Sequence, residues 1–344
     1  MALPKRMDIP QSVKDVHAAS EVIDLHGDTF LWSRFLGYDI GKRHKNRFPR
    51  APFAWHIDLP RMEDAGCDGQ VFGVVVSPLG TPERRRRAAL RMLDEIEQKL
   101  ATYESRIGLA RNAQQYRELR RQGKFAALIG IEGAHTLGGR IELVEKFKER
   151  GACYFSIAHL TDNEACYPNR NLKRRHDGLS EFGRQVVEEI DRNRMILDMA
   201  HINEPGFFEI LKLRKNKTPV IASHTGVKGA HDHWRNLTDE MIRAIADTEG
   251  CIGIMLHSGF ISPSLFADLE HVVAHYLHVK KLVGARFLAL GSDFDGFIVN
   301  PKGIHGIEDL PLLTEALLRA GFTETEMQGI LGGNFLRVLE AVCG

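Results

Sequence analysis

Imidazoles and carboxylates recur in this sequence directly after short apolar runs. HGD at 26–28 follows VIDL, Glu132 follows AALIGI and His159 follows YFSIA. His201 lies two residues past MILDM, His224 two past VIA, and His257 directly past CIGIML. Asp293 stands in GSDFDG, three residues past FLAL. In an extended segment residues i and i+2 point to the same side, so His26 and Asp28 can converge on one cation. Imidazole nitrogen with carboxylate oxygen suits zinc or another first-row metal better than calcium or magnesium. His26 and Asp28 on one side, and His201 and His224 on the other, make two partial coordination shells. Glu132 falls between them and can offer an oxygen to each. Two such ions about 3.5–4 Å apart hold a hydroxide and polarise a carbonyl. Asp293 is then placed to pass a proton from the attacking water to a leaving amine. Asp295 competes for that role, but Asp293 is nearer the apolar run.

A lone histidine beside an apolar strand is more often a hydrogen-bonded core residue than a ligand. What separates these from that reading is their joint placement, which depends on the elements carrying them. The apolar runs are 22–25, 70–76, 126–131, 154–158, 195–199, 220–222, 251–256 and 287–290. Their near-continuous apolar, β-branched character suits strands buried on both faces. Helical patterns lie between them at 83–103, 138–150, 180–193, 238–249 and 264–283, with Ser180 and Thr238 as N-caps. Eight βα units close an α/β TIM barrel, (β/α)8, and 310–320 and 323–342 form its final helix and a C-terminal helical extension. Strand ends then deliver every residue named above to one rim. Long irregular stretches at 29–60 and 160–177 would emerge on that same face, where barrel enzymes carry their active-site loops.

The 344 residues show no repeat or linker, and a single domain spanning 1–344 is expected. Lys and Arg total 46 against 45 Asp and Glu, so no bulk field steers the chain towards nucleic acid or anionic lipid. Five scattered cysteines without CxxC spacing argue against a disulfide framework or zinc ribbon. With no apolar leader or tail in the reading, a cytoplasmic protein without a membrane anchor is expected.

Other clusters read as structural. His271, His275 and His278 sit at i, i+4 and i+7 but lack the glutamate of HExxH, and are assigned to a solvated or interhelical face. The run of arginines at 84–87 opens a helix and is expected to face solvent. The basic loop 170–175 is suited to an anionic substrate but usually such a run is hydrated, and His231 and His233 near the rim fit a structural or a substrate-lining role.

At these residues the sequence resembles the membrane (renal) dipeptidase family of the amidohydrolase superfamily. The shared motifs are DLHGDT (24–29), HIDLPRMEDAG (56–66), IGIEGAH (129–135), GLSEFGRQVV (178–187), LDMAH (197–201), IASHT (221–225), RNLTDE (235–240), GSDFDG (291–296) and GGNFLRVLE (332–340). The resemblance implies a homodimeric metallo-dipeptidase cleaving L-Xaa-L-Xaa and L-Xaa-D-Xaa dipeptides by attack of a metal-bridging hydroxide. It implies two zinc ions, one on His26 and Asp28, one on His201 and His224, bridged by Glu132. It further implies that His159 contacts the substrate carbonyl oxygen, Arg235 binds the C-terminal carboxylate, and Asp293 shuttles the proton.

Two departures bear on the substrate pocket. MLHSG puts His257 where the family offers an aromatic, so His257 is expected to line the pocket and to form imidazolium as pH falls through about 6.5. The loop after His159 lacks the usual TPW-like segment. The alternatives are an aminoacylase or lactonase of the same superfamily, or a catalytically silent binding protein on the same fold. Retention of all five predicted ligands disfavours the last.

Overall fold

The computed structural model describes residues 9–44, 54–174 and 176–344. The amino-terminal residues 1–8, part of the irregular stretch (45–53), and Arg175 of the basic loop lie outside the described residues.

Nine strands are described: β1 (Ile23–Gly27), β2 (Gly69–Val74), β3 (Ile107–Leu109), β4 (Phe125–Glu132), β5 (Ala152–Ser156), β6 (Ile196–Asp198), β7 (Ile221–Thr225), β8 (Cys251–Ile254) and β9 (Leu288–Leu290). All pair in parallel in the order β2-β1-β9-β8-β7-β6-β5-β4, and β2 also pairs with β4 from Gly69↔Ala126 to Val74↔Ile131. That last ladder closes eight strands into a barrel, with helices around it. β3, which the apolar pattern does not announce, pairs only with the first residues of β4, Phe125 to Ala127. Every residue of the eight barrel strands is buried, as near-continuous apolar runs require.

The expected helices form, with shifted starts. Ser180 and Thr238 cap theirs, each hydroxyl accepting from the backbone N–H three residues on, Gly183 and Met241. The helix expected from 264 begins only at Leu269, where Asp268 and His271 form a reciprocal cap that satisfies two backbone N–H groups. The irregular stretch after β1 opens with a helix, Thr29–Leu36. Among the described residues no helix is long and apolar enough to cross a membrane.

The C-terminal extension closes the barrel floor. In the last helix, Asn334–Cys343, Phe335, Val338, Leu339 and Val342 pack on the inward residues of the strands, Ile23, Val71, Leu128, Ile196 and Ile221. Burying one such side chain contributes about 1.5–3 kcal/mol. With the floor sealed by hydrocarbon, the polar interior is confined to the opposite, C-terminal rim.

Candidate metal centre

Neighbouring strands shape the seat of the first ligands. His26 lies within β1, and Asp28 follows it, its N–H bonded to the Phe294 carbonyl at 2.8 Å. His26 Nε2 stands 3.4 Å from Asp28 Oδ1. Both side chains fill space above Gly73 of β2, where a Cβ would come within 2.4 Å of Asp28 Oδ1. Any larger residue at 73 would displace the carboxylate.

Glu132, the last residue of β4, is the hub. Its Oε1 lies 3.2 Å from His201 Nε2, 3.4 Å from His224 Nε2 and 3.7 Å from His26 Nε2, and its Oε2 lies 3.6 Å from His159 Nε2. His224 sits in β7; His201, three residues past β6, adopts a left-handed backbone at φ 65° that turns its ring inward. Three overlapping ligand groups result: His26, Glu132 and His224; Glu132, His159 and His201; His26, Asp28 and Asp293. All five expected ligands are brought together, and His159 and Asp293 join them. The grouping crosses the expected division, since the His224 ring stacks on His26 with centroids 4.0 Å apart.

The donor set fits divalent cations. His26 Nε2, Asp28 Oδ1, Glu132 Oε2, His159 Nδ1 and His201 Nδ1 are buried without a hydrogen-bond partner. Each such atom costs about 1–3 kcal/mol when left unsatisfied, a cost that a cation at the cluster offsets for the atoms facing it. Burial, reinforced by nearby cationic groups, holds His159, His201 and His224 well below the usual imidazole range, so they present lone pairs. Burial also pushes Glu132 well up, with Asp28 and Asp293 adding to the effect against His26. Burial opposes a charge on His26 as well, but Glu132 and Asp28 outweigh it and carry His26 up to about 10. A multivalent cation would replace that proton as the counter-charge.

Asp293 is buried and left-handed, at φ 64°, with its N–H on the His26 carbonyl at 3.2 Å. Burial raises it to about 8, aided by Asp28 and opposed by His26 and Arg235. Asp295 is committed elsewhere: Oδ2 accepts from the Thr29 hydroxyl at 2.7 Å and Oδ1 from the His56 N–H at 2.8 Å. Of the two carboxylates, Asp293 is the one grouped with His26 and Asp28.

Arg235 is fully buried, donating from Nη2 to the His224 carbonyl at 2.8 Å, with Nε unpartnered. Burial lowers it to about 10, against the pull of Asp293 and Glu132. A buried guanidinium with spare donors is suited to a carboxylate. His257 departs from expectation in its charge. The Val299 N–H donates to its Nδ1 at 3.1 Å, the Phe260 ring packs on it edge-on at 4.3 Å, and burial lowers it to about 4. Burial thus favours the neutral imidazole, against the expected titration near 6.5.

The remaining clusters resolve structurally. His275 accepts from the Val227 N–H at 2.9 Å and contacts the Ile261 carbonyl at 3.0 Å, while His278 pairs with Asp239 on another helix. Arg85 is not solvated as expected: it donates to the His135 and Gly80 carbonyls and pairs with Glu164, tying its helix to the rim loops. Arg170, Lys173 and Arg174 of the basic loop are exposed, and Arg174 pairs with Asp177 and Tyr167. Three residues not singled out in the sequence support the ligands: Tyr154 touches His26, and Ser223 links Asp198 to His224. Asp198 and Ser223 were visible as polar interruptions of LDMAH and IASHT; Tyr154 looked like any β-former.

A family model described as membrane dipeptidase (peptidase family M19) matches residues 10–343. Dipeptidase 3 of Homo sapiens is 27% identical across 98% of this chain and 68% of its own length. Dipeptidase 3 of Rattus norvegicus is 31% identical across 83% of this chain, and the match spans 58% of that relative's length. Among solved structures, the metallopeptidase dipeptidase AC of family M19 superposes with a TM-score of 0.85 at 26% identity, covering 94% of this chain and 99% of that one. An amidohydrolase from Pseudomonas aeruginosa gives 0.79 at 25% identity, covering 96% and 99%. The family match runs through all the strands and the whole centre, so the chain belongs to the membrane dipeptidase family, peptidase family M19.

Proposed function

We propose that the chain hydrolyses the peptide bond of dipeptides, L-Xaa-L-Xaa and L-Xaa-D-Xaa, using two divalent ions, zinc or another first-row metal. The observation that carries this reading is Glu132, whose two oxygens face four imidazoles at 3.2–3.7 Å in a pocket of unsatisfied ligand atoms. His26 and Asp28 would hold one ion and His201 and His224 the other, with Glu132 shared. Bound there, such a pair supplies Lewis acidity to a carbonyl and lowers the pKa of water to about 7.

The protein groups supply position and protons. Arg235 receives the substrate's C-terminal carboxylate, which fixes the scissile bond relative to the centre. His159 donates to the carbonyl oxygen as it gains charge. Asp293 takes a proton from the attacking water and delivers it to the amine as the C–N bond breaks, so one water is consumed and two amino acids leave. His257 lines the pocket as a neutral imidazole. A cytoplasmic homodimer completes the reading; five cysteines that are all free and buried are consistent with a reducing compartment.

The test is a substrate panel on metal-reconstituted protein: L,L- and L,D-dipeptides, their C-terminal amides, N-acyl amino acids and lactones. Dipeptides should turn over, and amidation should cost about ten- to two-hundredfold in kcat/KM, the worth of one charge-assisted hydrogen bond. Turnover of N-acyl amino acids or lactones with none of dipeptides would favour the aminoacylase or lactonase alternative. No turnover of any substrate would favour a silent binding protein.

A further inference from the structure

Metal coordination needs each histidine to present a lone pair, and that depends on which ring nitrogen carries the proton. Hydroxyl groups bear on this for two of the three proposed ligand imidazoles, His26 and His224. The Tyr154 hydroxyl donates to the Leu25 carbonyl at 3.1 Å and lies 2.7 Å from His26 Nδ1. Its one proton is spent on the carbonyl, so towards His26 it must accept. His26 therefore keeps a proton on Nδ1, and the proton it would give up to a metal is the one on Nε2, facing Glu132 and Asp28.

His224 is fixed by a longer chain. The Ser223 hydroxyl donates to Asp198 Oδ2 at 2.6 Å and lies 2.8 Å from His224 Nδ1. Asp198 Oδ1 accepts from two backbone N–H groups, Ser223 at 2.8 Å and Ala200 at 3.1 Å, which fixes the orientation of the carboxylate. The Ser223 oxygen is left to accept from His224 Nδ1–H. His159 and His201 have no such partner, since the Nδ1 of each is buried without a hydrogen bond.

We propose that Asp198, acting through Ser223, and Tyr154 are positioning residues that lock His224 and His26 in the tautomer required for metal binding. This rests on the metal-centre reading above. It has an unusual consequence: the more distant residue should matter more. In Asp198→Asn the side-chain oxygen must stay on the two backbone N–H groups, so the amide NH2 faces Ser223. With its carboxylate acceptor gone, the Ser223 proton has His224 Nδ1 at 2.8 Å as its nearest remaining acceptor, which favours the tautomer with the His224 proton on Nε2, towards the metals. Ser223→Ala removes the hydroxyl and leaves the tautomer merely unfixed.

The experiment titrates Zn²⁺, and separately Co²⁺, into chelator-stripped protein against a competing chelator, with imidazole ¹⁵N shifts recorded on the stripped protein. Wild type should show His224 protonated on Nδ1 alone, and His26 protonated on Nδ1 with its Nε2 proton lost when metal is added. Affinity at one site should fall about tenfold in Ser223→Ala and about a hundredfold in Asp198→Asn, whose His224 shifts should show Nε2 protonation. A simple packing role predicts the opposite order, because Ser223 touches His224 and Asp198 does not. Tyr154→Phe keeps the ring and should also lose about tenfold, which tests the proposal independently of how Asp198→Asn folds. Asp198→Asn binding as tightly as wild type, or a wild-type His224 protonated on Nε2, overturns the inference while leaving the metal centre standing. Wild type that takes up neither metal overturns both.

Discussion

Nε2 of His201 lies 2.9 Å from Nε2 of His224, and both face the same oxygen of Glu132. The two rings reach that point from different strands, meeting at an interplanar angle of 60°. Burial, with Arg235 and His26 nearby, holds both well below the usual imidazole range. Two neutral imidazoles converging on one buried carboxylate oxygen form a donor set for a cation, and a poor hydrophobic core.

The separation of Asp293 from Asp295 gives a mutational test. Asp293→Asn should lower kcat by about 10²–10⁴ while the protein stays folded. Asp295→Asn should act on stability, because Asp295 holds Thr29 and the His56 backbone against the rim. The pair of thermal melts and kcat values checks this. A nearly normal kcat in Asp293→Asn, with a stable but inactive Asp295→Asn, would exchange their roles.

His257 should not act as a pH switch. With its Nδ1 accepting from Val299 and its pKa lowered to about 4, it stays neutral from pH 6 to 8. The ratio of kcat/KM for Ala-Asp to Ala-Ala should therefore be flat over that range in wild type. A ratio that climbs as pH falls through about 6.5 in wild type but not in His257→Phe would show that imidazolium forms there after all.

Acid should destabilise the fold through His275. Burial lowers its pKa from 6.5 to about 4, so its stabilising effect is full above 6.5 and is lost as pH falls from there towards 4. Protonating Nδ1 would also break the bond from the Val227 N–H. In chelated protein the urea midpoint should drop between pH 7 and 5, with a slope approaching about 1.4 kcal/mol per pH unit from this residue. His275→Gln keeps an acceptor and a donor and should show a shallower drop. Equal slopes in the two proteins would remove His275 as the cause.

Much of this was legible before the structure because strand burial and ligand placement share one signal. Eight apolar runs each announce a strand, and a polar residue at or just past the end of a run must sit at the rim. β3 escaped because three residues, two of them half-exposed, make no apolar run. The supports of the ligands escaped for a different reason. Tyr154 on β5 reaches His26 on β1 across 128 residues of sequence, a proximity that only closure of the barrel creates. Gly73 likewise reads as a neutral strand residue until Asp28 is seen to need its missing side chain. The lowered pKa of His257 comes chiefly from burial in the folded chain, which no spacing rule reports.

The most direct test counts metal ions per chain in reconstituted wild type and in Glu132→Gln, with dipeptide turnover measured on the same samples. The bridged centre predicts two ions per wild-type chain, loss of turnover on chelation, and weaker binding at both sites in Glu132→Gln, because an amide cannot offer two anionic oxygens. One ion per chain in fully active protein, or Glu132→Gln that keeps both ions at wild-type affinity, would contradict it.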